Sequence, residues 1–341
     1  MRPLRKSARP GFNSGFELNR LDNWVPIRIV WQNSQPMVDW CRLGQLRLTE
    51  PFFDQTINRA LAHPANLLFQ RRTPIEELGQ LAVAHPGLTP SGFIFHMSRC
   101  GSTLISQMLA AAPENLVISE ARPIDSVLRG HFSAAGTAEE QRIRWLQWLV
   151  SALGQVRHPE QKRFFIKFDS WHALFLPLIR RAFPAVPWIF VYRQPVEVLA
   201  SHWRQRGPQV MPGVLEAALF GWAQSAVDAM SPEEYAARVL RRFCEAASES
   251  LQTGGGRLVN YHQLPDVVLA ALLEFWGVAY SQTEREQMLK ASRLNAKNPF
   301  VPFEKDAENQ NAAENLRGVV QQWLEEPYRR LEQLRTRLGF H

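Results

Sequence analysis

FIFHMSRCGSTLISQML, residues 93–109, is the stretch that decides the fold of this 341-residue chain. Its apolar beginning is typical of a buried strand, and a helix is predicted to open at Ser102 and Thr103. Between them, Gly101 lets the backbone come close to a ligand, and Arg99 adds a cation. The first N–H groups of the helix point into the same turn. The stretch therefore predicts an anion-binding nest between a strand and a helix.

The position of the cation separates this loop from the ATP-binding loop that it resembles in outline. That loop reads GxxxxGK[ST], with a lysine directly after the glycine. Here Ser102 occupies the lysine position, and the cation stands two residues before the glycine, at Arg99. The difference argues against an ATPase or an ordinary kinase. A turn that only caps a helix is the alternative interpretation, because short motifs recur by chance.

Apolar runs that alternate with helical segments predict the rest of the fold. Five such runs occur, at residues 92–96, 116–118, 163–168, 187–192 and 257–260. Helix starts are indicated by Ser/Thr-x-x-Glu capping patterns that begin at Thr137, Ser231 and Ser281. Strands that are buried on both faces and alternate with helices indicate a mostly parallel sheet. We therefore predict an α/β fold with a three-layer, P-loop-like domain over residues 90–341.

Residues 1–89 are predicted to be an N-terminal extension whose role the sequence leaves open. Two β-like runs, at residues 26–31 and 37–41, flank a turn-prone segment at residues 33–36 and predict a hairpin. Thr49 is predicted to cap a helix that has Pro51 in its first turn and ends near Ala62.

Composition narrows the class of protein. The formal net charge of +7 is compatible with an anionic partner such as a nucleotide, and equally with a solvated basic surface. The basic residues are dispersed and show no aromatic-interleaved motif, so no nucleic-acid partner is predicted. No stretch of about 18 uncharged apolar residues occurs, so no membrane span is predicted.

Cysteine usage and the first residues bear on location and metal binding. Three widely spaced cysteines, at 41, 100 and 244, favour reduced thiols over a disulfide framework. The same spacing gives no metal-ligand cluster, so no metal is expected. The basic start of the chain is followed by no apolar segment, so we expect no signal peptide and a cytoplasmic protein.

A second strand-to-helix junction adds another basic residue. Arg193 follows the apolar run 187–192 and precedes a helix predicted to start at Pro195. This places it at the carboxyl end of a strand, where open α/β sheets bind ligands. Ser201 lies eight positions later, about two helical turns along, and is predicted to face the same pocket. Taken alone, Arg193 could equally be a surface ion-pair partner, but the two junctions together predict a ligand with anionic groups at both ends.

With both junctions in place, residues 92–305 resemble the sulfotransferase family. The 5′-phosphosulfate loop of that family corresponds to Arg99, Cys100, Gly101, Ser102 and Thr103, and its 3′-phosphate element to Arg193 and Ser201. The resemblance implies a donor, 3′-phosphoadenosine-5′-phosphosulfate (PAPS), and its product, adenosine 3′,5′-bisphosphate (PAP). It also implies transfer of the sulfuryl group to a hydroxyl or amine without a metal.

Within that family, the motif spacing is most similar to the tyrosylprotein sulfotransferase type. Glu120, 21 positions after Arg99, matches its catalytic base, and Arg122 matches a substrate-contacting arginine. Lys167 matches a strand lysine that touches the sulfuryl group, and Tyr261 matches a tyrosine before a helix. Asp169 is the rival base, because the cytosolic branch of the family has its catalytic histidine two residues after the lysine.

The chain departs from the family pattern at several positions. Cys100 replaces a serine, and His262 stands where a glutamate is usual. A late family lysine is missing near Gln310, and Lys297 or Lys305 could replace it. Without a signal anchor, the protein-tyrosine acceptor is not carried over, so a small molecule, a carbohydrate and a peptide all stay open. A P-loop kinase or NTPase and an inactive PAP-binding module are the alternative functions, and the oligomeric state is open.

Overall fold

The computed structural model of the chain describes residues 23–130, 137–302 and 310–338. Its strands are β1 (Trp24–Gln32), β2 (Gln35–Arg42), β3 (Arg71–Pro74), β4 (Pro90–His96), β5 (Asn115–Ser119), β6 (Arg163–Lys167), β7 (Trp188–Tyr192), β8 (Gly256–Asn260), β9 (Leu294–Asn295) and β10 (Asn298–Pro302). The first helices are α1 (Phe53–Leu61), α2 (Pro64–Leu68), α3 (Glu76–Ala84), α4 (Ser102–Ala110), α5 (Arg122–Leu128), α6 (Glu139–Leu153) and α7 (Leu176–Ala182). The later helices are α8 (Pro195–Arg204), α9 (Gln224–Asp228), α10 (Pro232–Ser250), α11 (Leu273–Phe275), α12 (Gln282–Ala291), α13 (Gln310–Trp323) and α14 (Glu325–Leu338).

A five-stranded parallel sheet is the centre of the fold. Its order is β5-β6-β4-β7-β8, and every neighbouring pair is parallel. All residues of β5 and β7 are buried, as expected for strands covered by helices on both faces. The five apolar runs predicted from the sequence are these five strands. The predicted α/β fold with a mostly parallel sheet is confirmed.

Two of the three predicted helix caps are confirmed. The Ser231 hydroxyl accepts a hydrogen bond from the Glu234 amide at 3.1 Å, and that of Ser281 accepts one from the Glu284 amide at 3.3 Å. The cap predicted at Thr137 is wrong: α6 begins at Glu139, after Ala138 in an extended conformation. A matching short pattern does not by itself decide where a helix nucleates.

The predicted hairpin is confirmed in the N-terminal region, and the predicted helix start is wrong. Strands β1 and β2 pair antiparallel around Asn33 and Ser34, which both have positive φ, and β3 extends this second sheet. Helix α1 begins at Phe53 instead of directly after Thr49. Phe52 is extended, and the Thr49 carbonyl oxygen accepts a hydrogen bond from the Gln107 side chain at 3.1 Å. A hydrogen bond from α4 thus reaches this segment, and the helix begins only after it.

The N-terminal region and the parallel-sheet region share one cluster of buried residues. The rings of Trp31 on β1 and Trp145 on α6 lie 5.9 Å apart. Arg157 donates a hydrogen bond to the Trp24 carbonyl oxygen at 3.2 Å. Among the described residues, no helix is long and apolar enough to cross a membrane.

We predict that a side chain at Gly92, in the central strand, destabilises the fold. A Cβ atom there would overlap the indole of Trp276, which is buried. Gly92→Ala should lower the free energy of unfolding by about 1–3 kcal/mol, measured by urea denaturation.

Gly318 on α13 is the matched control for this substitution. No heavy atom lies within 4 Å of a Cβ built there, so Gly318→Ala should stabilise the helix by about 0.5–1 kcal/mol. Equal effects of the two substitutions would contradict the packing that we describe around β4.

Candidate active site

The carboxyl ends of the parallel strands bring the predicted functional residues to one edge of the sheet. The chain runs from β4 outward to β5 and back to β6, and then crosses to β7 on the other side of β4. Such a change of direction opens a crevice beyond the strand ends, where α/β proteins bind ligands. At or directly after these ends lie the loop before α4 and four single residues, Glu120, Lys167, Arg193 and Tyr261.

The loop between β4 and α4 has the unusual backbone expected of an anion nest. Ser98, Arg99 and Gly101 have φ angles of 79°, 50° and 86°. Left-handed conformations cost about 1–2 kcal/mol at non-glycine residues, so packing around the loop must stabilise them. A Cβ on Gly101 would also lie 2.6 Å from Leu264 and 2.9 Å from Tyr261. Only glycine fits this position without displacing its neighbours.

A buried ion pair joins the ends of β5 and β6. The Lys167 ammonium lies 2.6 Å from the Glu120 carboxylate, and its side chain is fully buried. The Glu120 amide also donates to the Lys167 carbonyl oxygen at 2.8 Å, which holds Glu120 at a φ of 55°. Lys167 further donates to the Thr103 hydroxyl of the loop at 3.4 Å. The structure thus brings Glu120, Lys167 and Thr103 together.

His96, at the end of β4, adds a third group to this pair. Its Nδ1 atom accepts a hydrogen bond from the Ser98 amide at 3.0 Å, so Nε2 carries the proton. Nε2 donates to the Phe168 carbonyl oxygen at 3.0 Å and lies 3.4 Å from the Glu120 carboxylate. Burial alone would raise the pKa of Glu120, but Lys167 and His96 lower it to about 2. Glu120 is therefore ionised beside Lys167.

Asp169 has the opposite electrostatic environment. Burial raises the pKa of its carboxyl well above the ordinary value, and the nearby charges of Glu120, Asp125 and Asp54 act in the same direction. Its amide donates to Nδ1 of His172 at 3.2 Å, and Nε2 of that ring in turn donates to Asp125 at 3.0 Å. The two carboxyls considered as base thus differ in the pH range in which each ionises.

A second cluster forms around Tyr261, which follows β8. The Arg193 guanidinium lies over the Tyr261 ring at 4.2 Å and forms an ion pair with Glu197 on α8. Because Tyr261 also borders Gly101, it lies between the loop before α4 and Arg193. Ser201 lies half-buried on the same helix as Glu197.

Two further cations lie close to α8. The Arg99 guanidinium donates to the main-chain oxygen of Gln205, directly after that helix. Burial, together with the charges of Arg99 and Lys297, lowers the pKa of His202 to about 3. Lys297 therefore lies near the helix that carries Ser201, whereas Lys305 is outside the described residues.

Cys100 packs beneath the loop. Its thiol donates to the Val191 carbonyl oxygen at 3.1 Å, and burial raises its pKa to about 12. A thiol that keeps its proton is a poor nucleophile, so the environment of Cys100 argues against nucleophilic catalysis by its side chain.

Sequence reasoning missed several residues at this site, and two of them come from the N-terminal region. The Phe52 ring lies 4.9 Å from the Lys167 ammonium, and Asp54 forms an ion pair with Arg122 at 2.5 Å. No local pattern indicates these contacts, since they join segments far apart in the chain. His96 could have been suspected from its place at a strand end beside the loop. Within the described residues, no group of three or more His, Cys, Asp or Glu side chains is arranged to hold a metal ion.

The sequence of this region matches a known family. The model of the sulfotransferase family matches residues 90–282, more than half of the chain. The chain therefore belongs to the sulfotransferase family, as its loop and strand-end residues predict. The finer relation to the tyrosylprotein type stays a prediction. No curated protein matches the chain.

Two solved structures of sulfotransferases and one of retinol dehydratase are similar to the chain in outline. Sulfotransferase STF9 from Mycobacterium avium has 15% identity and a TM-score of 0.44, over 74% of this chain and 80% of that one. The sulfotransferase domain of the Synechococcus PCC 7002 olefin synthase has 15% identity and a TM-score of 0.41, over 73% and 96%. Retinol dehydratase in a complex with retinol and PAP has 13% identity and a TM-score of 0.33, over 80% and 89%. Likenesses this distant say nothing about the substrate of this chain.

The raised pKa of Asp169 makes stability depend on pH in a definite direction. A carboxyl whose folded-state pKa is raised destabilises the fold as pH rises from its ordinary value through the raised one. Asp169→Asn removes this penalty, and asparagine suits the position before the short 3₁₀ helix Ser170–Phe175 as well as aspartate does. The melting temperature of the variant, relative to that of the original protein, should therefore be higher at pH 8 than at pH 4.5.

Asp228→Asn, at an exposed position on α9, is the control and should show no such dependence. A constant difference between Asp169→Asn and the original protein across this pH range would mean that Asp169 ionises normally.

Proposed function

We propose that the protein transfers the sulfuryl group of PAPS to a hydroxyl or amine acceptor. The observation that carries this proposal is the contact of one buried lysine, Lys167, with both the loop hydroxyl of Thr103 and the carboxylate of Glu120. A cation, a proton acceptor and an anion nest at one point are the groups that an in-line transfer between oxygens requires. Membership of the sulfotransferase family supports the same reaction class.

Two groups of residues are proposed to hold the donor. Arg99 and the loop residues from Cys100 to Thr103 bind the 5′-phosphosulfate, with the N-terminus of α4 directed at it. Arg193 and Ser201 bind the 3′-phosphate, and Tyr261 lies between the two groups of residues. Lys297, close to α8, supplies a further cation. The close approach at Gly101 fits this assignment, because a larger residue would fill the space beside Tyr261.

Lys167 and Glu120 are proposed to act in the transfer itself. Bound PAPS supplies a sulfur–oxygen bond that breaks as the acceptor oxygen bonds to sulfur, and its electron pair leaves with PAP. Lys167 neutralises negative charge on the transferring group and the bridging oxygen. Glu120 takes the proton that the acceptor loses. His96, whose Nε2 atom lies 3.4 Å from the Glu120 carboxylate, is proposed to be a positioning residue beside it.

Glu120 is the better supported base of the two carboxyls. Asp169 tends to retain its own proton, because its pKa is raised, and a protonated carboxyl cannot accept another. Glu120 is ionised, but its pairing with Lys167 weakens it as a base. When the Lys167 ammonium binds the sulfuryl group instead, Glu120 loses its cationic partner. Its pKa then rises, and it becomes a stronger base for the acceptor's proton. Arg122, exposed near Glu120, is proposed to contact the acceptor, whether a small molecule, a carbohydrate or a peptide. A cytoplasmic location stays a prediction.

Calorimetric titration with PAP, PAPS and Mg-ATP tests the nature of the donor. PAP or PAPS should bind in preference to ATP, and Arg193→Ala should weaken this binding about ten- to a hundredfold, because a charge-assisted contact is lost. Arg181→Ala, at an exposed arginine paired with Glu139, is the matched control and should bind PAP normally.

Each outcome of the titration has a defined meaning. Binding of ATP without binding of PAP would contradict the sulfuryl-transfer proposal and favour phosphoryl transfer as the function. Binding of PAP without turnover of any acceptor in a broad screen would favour an inactive binding module. Failure to bind any of the three would make the loop a structural turn.

Paired variants separate the two candidate bases once an acceptor is found. Glu120→Gln should lower kcat about 10²- to 10⁴-fold while PAP affinity is kept, since a general base is removed and the donor contacts remain. Asp169→Asn should change kcat far less. The reverse order in steady-state kinetics would assign the base to Asp169.

A further inference from the structure

Residues 49–54 lie outside the part of the chain that matches the sulfotransferase family, yet they border Lys167, the buried lysine of the proposed site. The ring of Phe52 is 4.9 Å from the Lys167 ammonium. An aromatic face at this distance from a cation is attractive and displaces water from it. Phe52 thus forms part of the enclosure that leaves the Lys167 side chain without solvent contact.

Three contacts hold this segment in place. The Gln107 side chain of α4 donates to the Thr49 carbonyl oxygen at 3.1 Å. The Phe52 amide donates to the Gln55 side chain at 3.1 Å, at the start of α1. Phe53, the next residue, is buried in the core. Phe52 is therefore positioned from both sides, by the helix that follows the anion loop and by the core beneath α1.

Asp54 contacts Arg122, the residue that is proposed to bind the acceptor. Its carboxylate pairs with Arg122 at 2.5 Å, and the Arg122 side chain is otherwise 70% exposed. The charge of Asp54 also reaches Asp169, where it adds to the rise in pKa. One short segment thus contacts Lys167 through Phe52 and Arg122 through Asp54.

We propose that residues 49–54 form the acceptor-side wall of the active site, with Phe52 and Asp54 as positioning residues. The inference rests on the proposed sulfuryl transfer. Phe52 keeps water away from Lys167 and the sulfuryl group, and Asp54 orients Arg122 towards the acceptor. Exclusion of water matters because water can attack sulfur in the acceptor's place. That attack forms a new sulfur–oxygen bond as the bond to the phosphate oxygen breaks, and it yields sulfate, PAP and released protons.

The first test measures this side reaction without any acceptor. Release of radiolabelled sulfate from PAPS should rise about fivefold or more in Phe52→Ala, because the wall no longer excludes water. PAP affinity by calorimetry should stay within about twofold, since Phe52 is not among the proposed donor contacts. Phe69→Ala, at an aromatic residue of the same region that is 68% exposed, is the matched control and should change neither quantity.

Phe52→Leu distinguishes shielding from a general loss of structure. Leucine keeps an apolar side chain beside Lys167 and should return sulfate release most of the way to the original rate. Melting temperatures of both Phe52 variants identify any unfolding. Normal sulfate release in a folded Phe52→Ala protein would overturn the proposal.

Chemical labelling of lysine gives a readout that is independent of turnover. Trinitrobenzenesulfonate should modify Lys167 slowly in the original protein and faster in Phe52→Ala, as followed by peptide mass spectrometry. Exposed Lys290 on α12 serves as the internal reference in the same digest. Equal protection of Lys167 in both proteins would show that Phe52 does not shield it.

Asp54→Asn tests the second contact of the wall, with Glu76→Gln as control. Glu76 is exposed at the start of α3 and lies outside residues 49–54. Asp54→Asn should release Arg122 and increase sulfate release, less than Phe52→Ala does, while Glu76→Gln should leave it unchanged. No effect of Asp54→Asn would remove Asp54 from the proposal. If the original protein binds no PAP, the proposed function fails; if it binds PAP and the Phe52 results are negative, only the wall fails.

Discussion

The ion pair between Lys167 and Glu120 is the interaction on which the site depends. Neighbouring parallel strands end at these residues, and the register that pairs Ser119 with Lys167 places the carboxylate beside the ammonium. Because the Lys167 side chain is fully buried, removal of Glu120 would leave its charge without compensation, at a cost of about 3–5 kcal/mol. The same contact therefore stabilises the edge of the sheet and brings an ammonium group and a carboxylate to the loop before α4.

Charges of opposite sign are gathered at different parts of this edge. The positive charges of Arg99 and Lys297 lower the pKa of His202, and those of Arg193 and Lys167 oppose the rise in the pKa of Cys100. Cations therefore lie around the loop before α4 and around α8. Three carboxylates from two segments, Glu120 and Asp125 from one and Asp54 from the other, raise the pKa of Asp169. The proposed function places the anionic donor at the first region and the acceptor at the second. The N-terminal region contributes to the second through Phe52 and Asp54.

Local signals were reliable where no distant segment competes with them. The five strands, the hairpin and the start of α4 follow from apolar runs and turn residues that keep the same meaning in any context. The helix start predicted after Thr49 was wrong: α1 begins at Phe53, and the Thr49 carbonyl oxygen accepts a hydrogen bond from distant Gln107 of α4. The cap predicted at Thr137 was also wrong, since α6 begins at Glu139 after extended Ala138. The sequence favoured Glu120 as the base and left Asp169 as its rival, and only their neighbours in the fold give the two carboxyls opposite pKa shifts.

The sequence by itself determined the α/β fold, the anion loop and the family, since these depend on residues adjacent in the chain. It also placed Glu120, Lys167 and Arg193 at strand ends, because parallel strands send their carboxyl ends to one edge. The tertiary structure alone decided that Lys167 pairs with Glu120, that Tyr261 borders Gly101 and that residues 49–54 lie beside Lys167. Those contacts join segments up to more than a hundred positions apart, and their geometry is set by packing of the whole core, which no local pattern encodes.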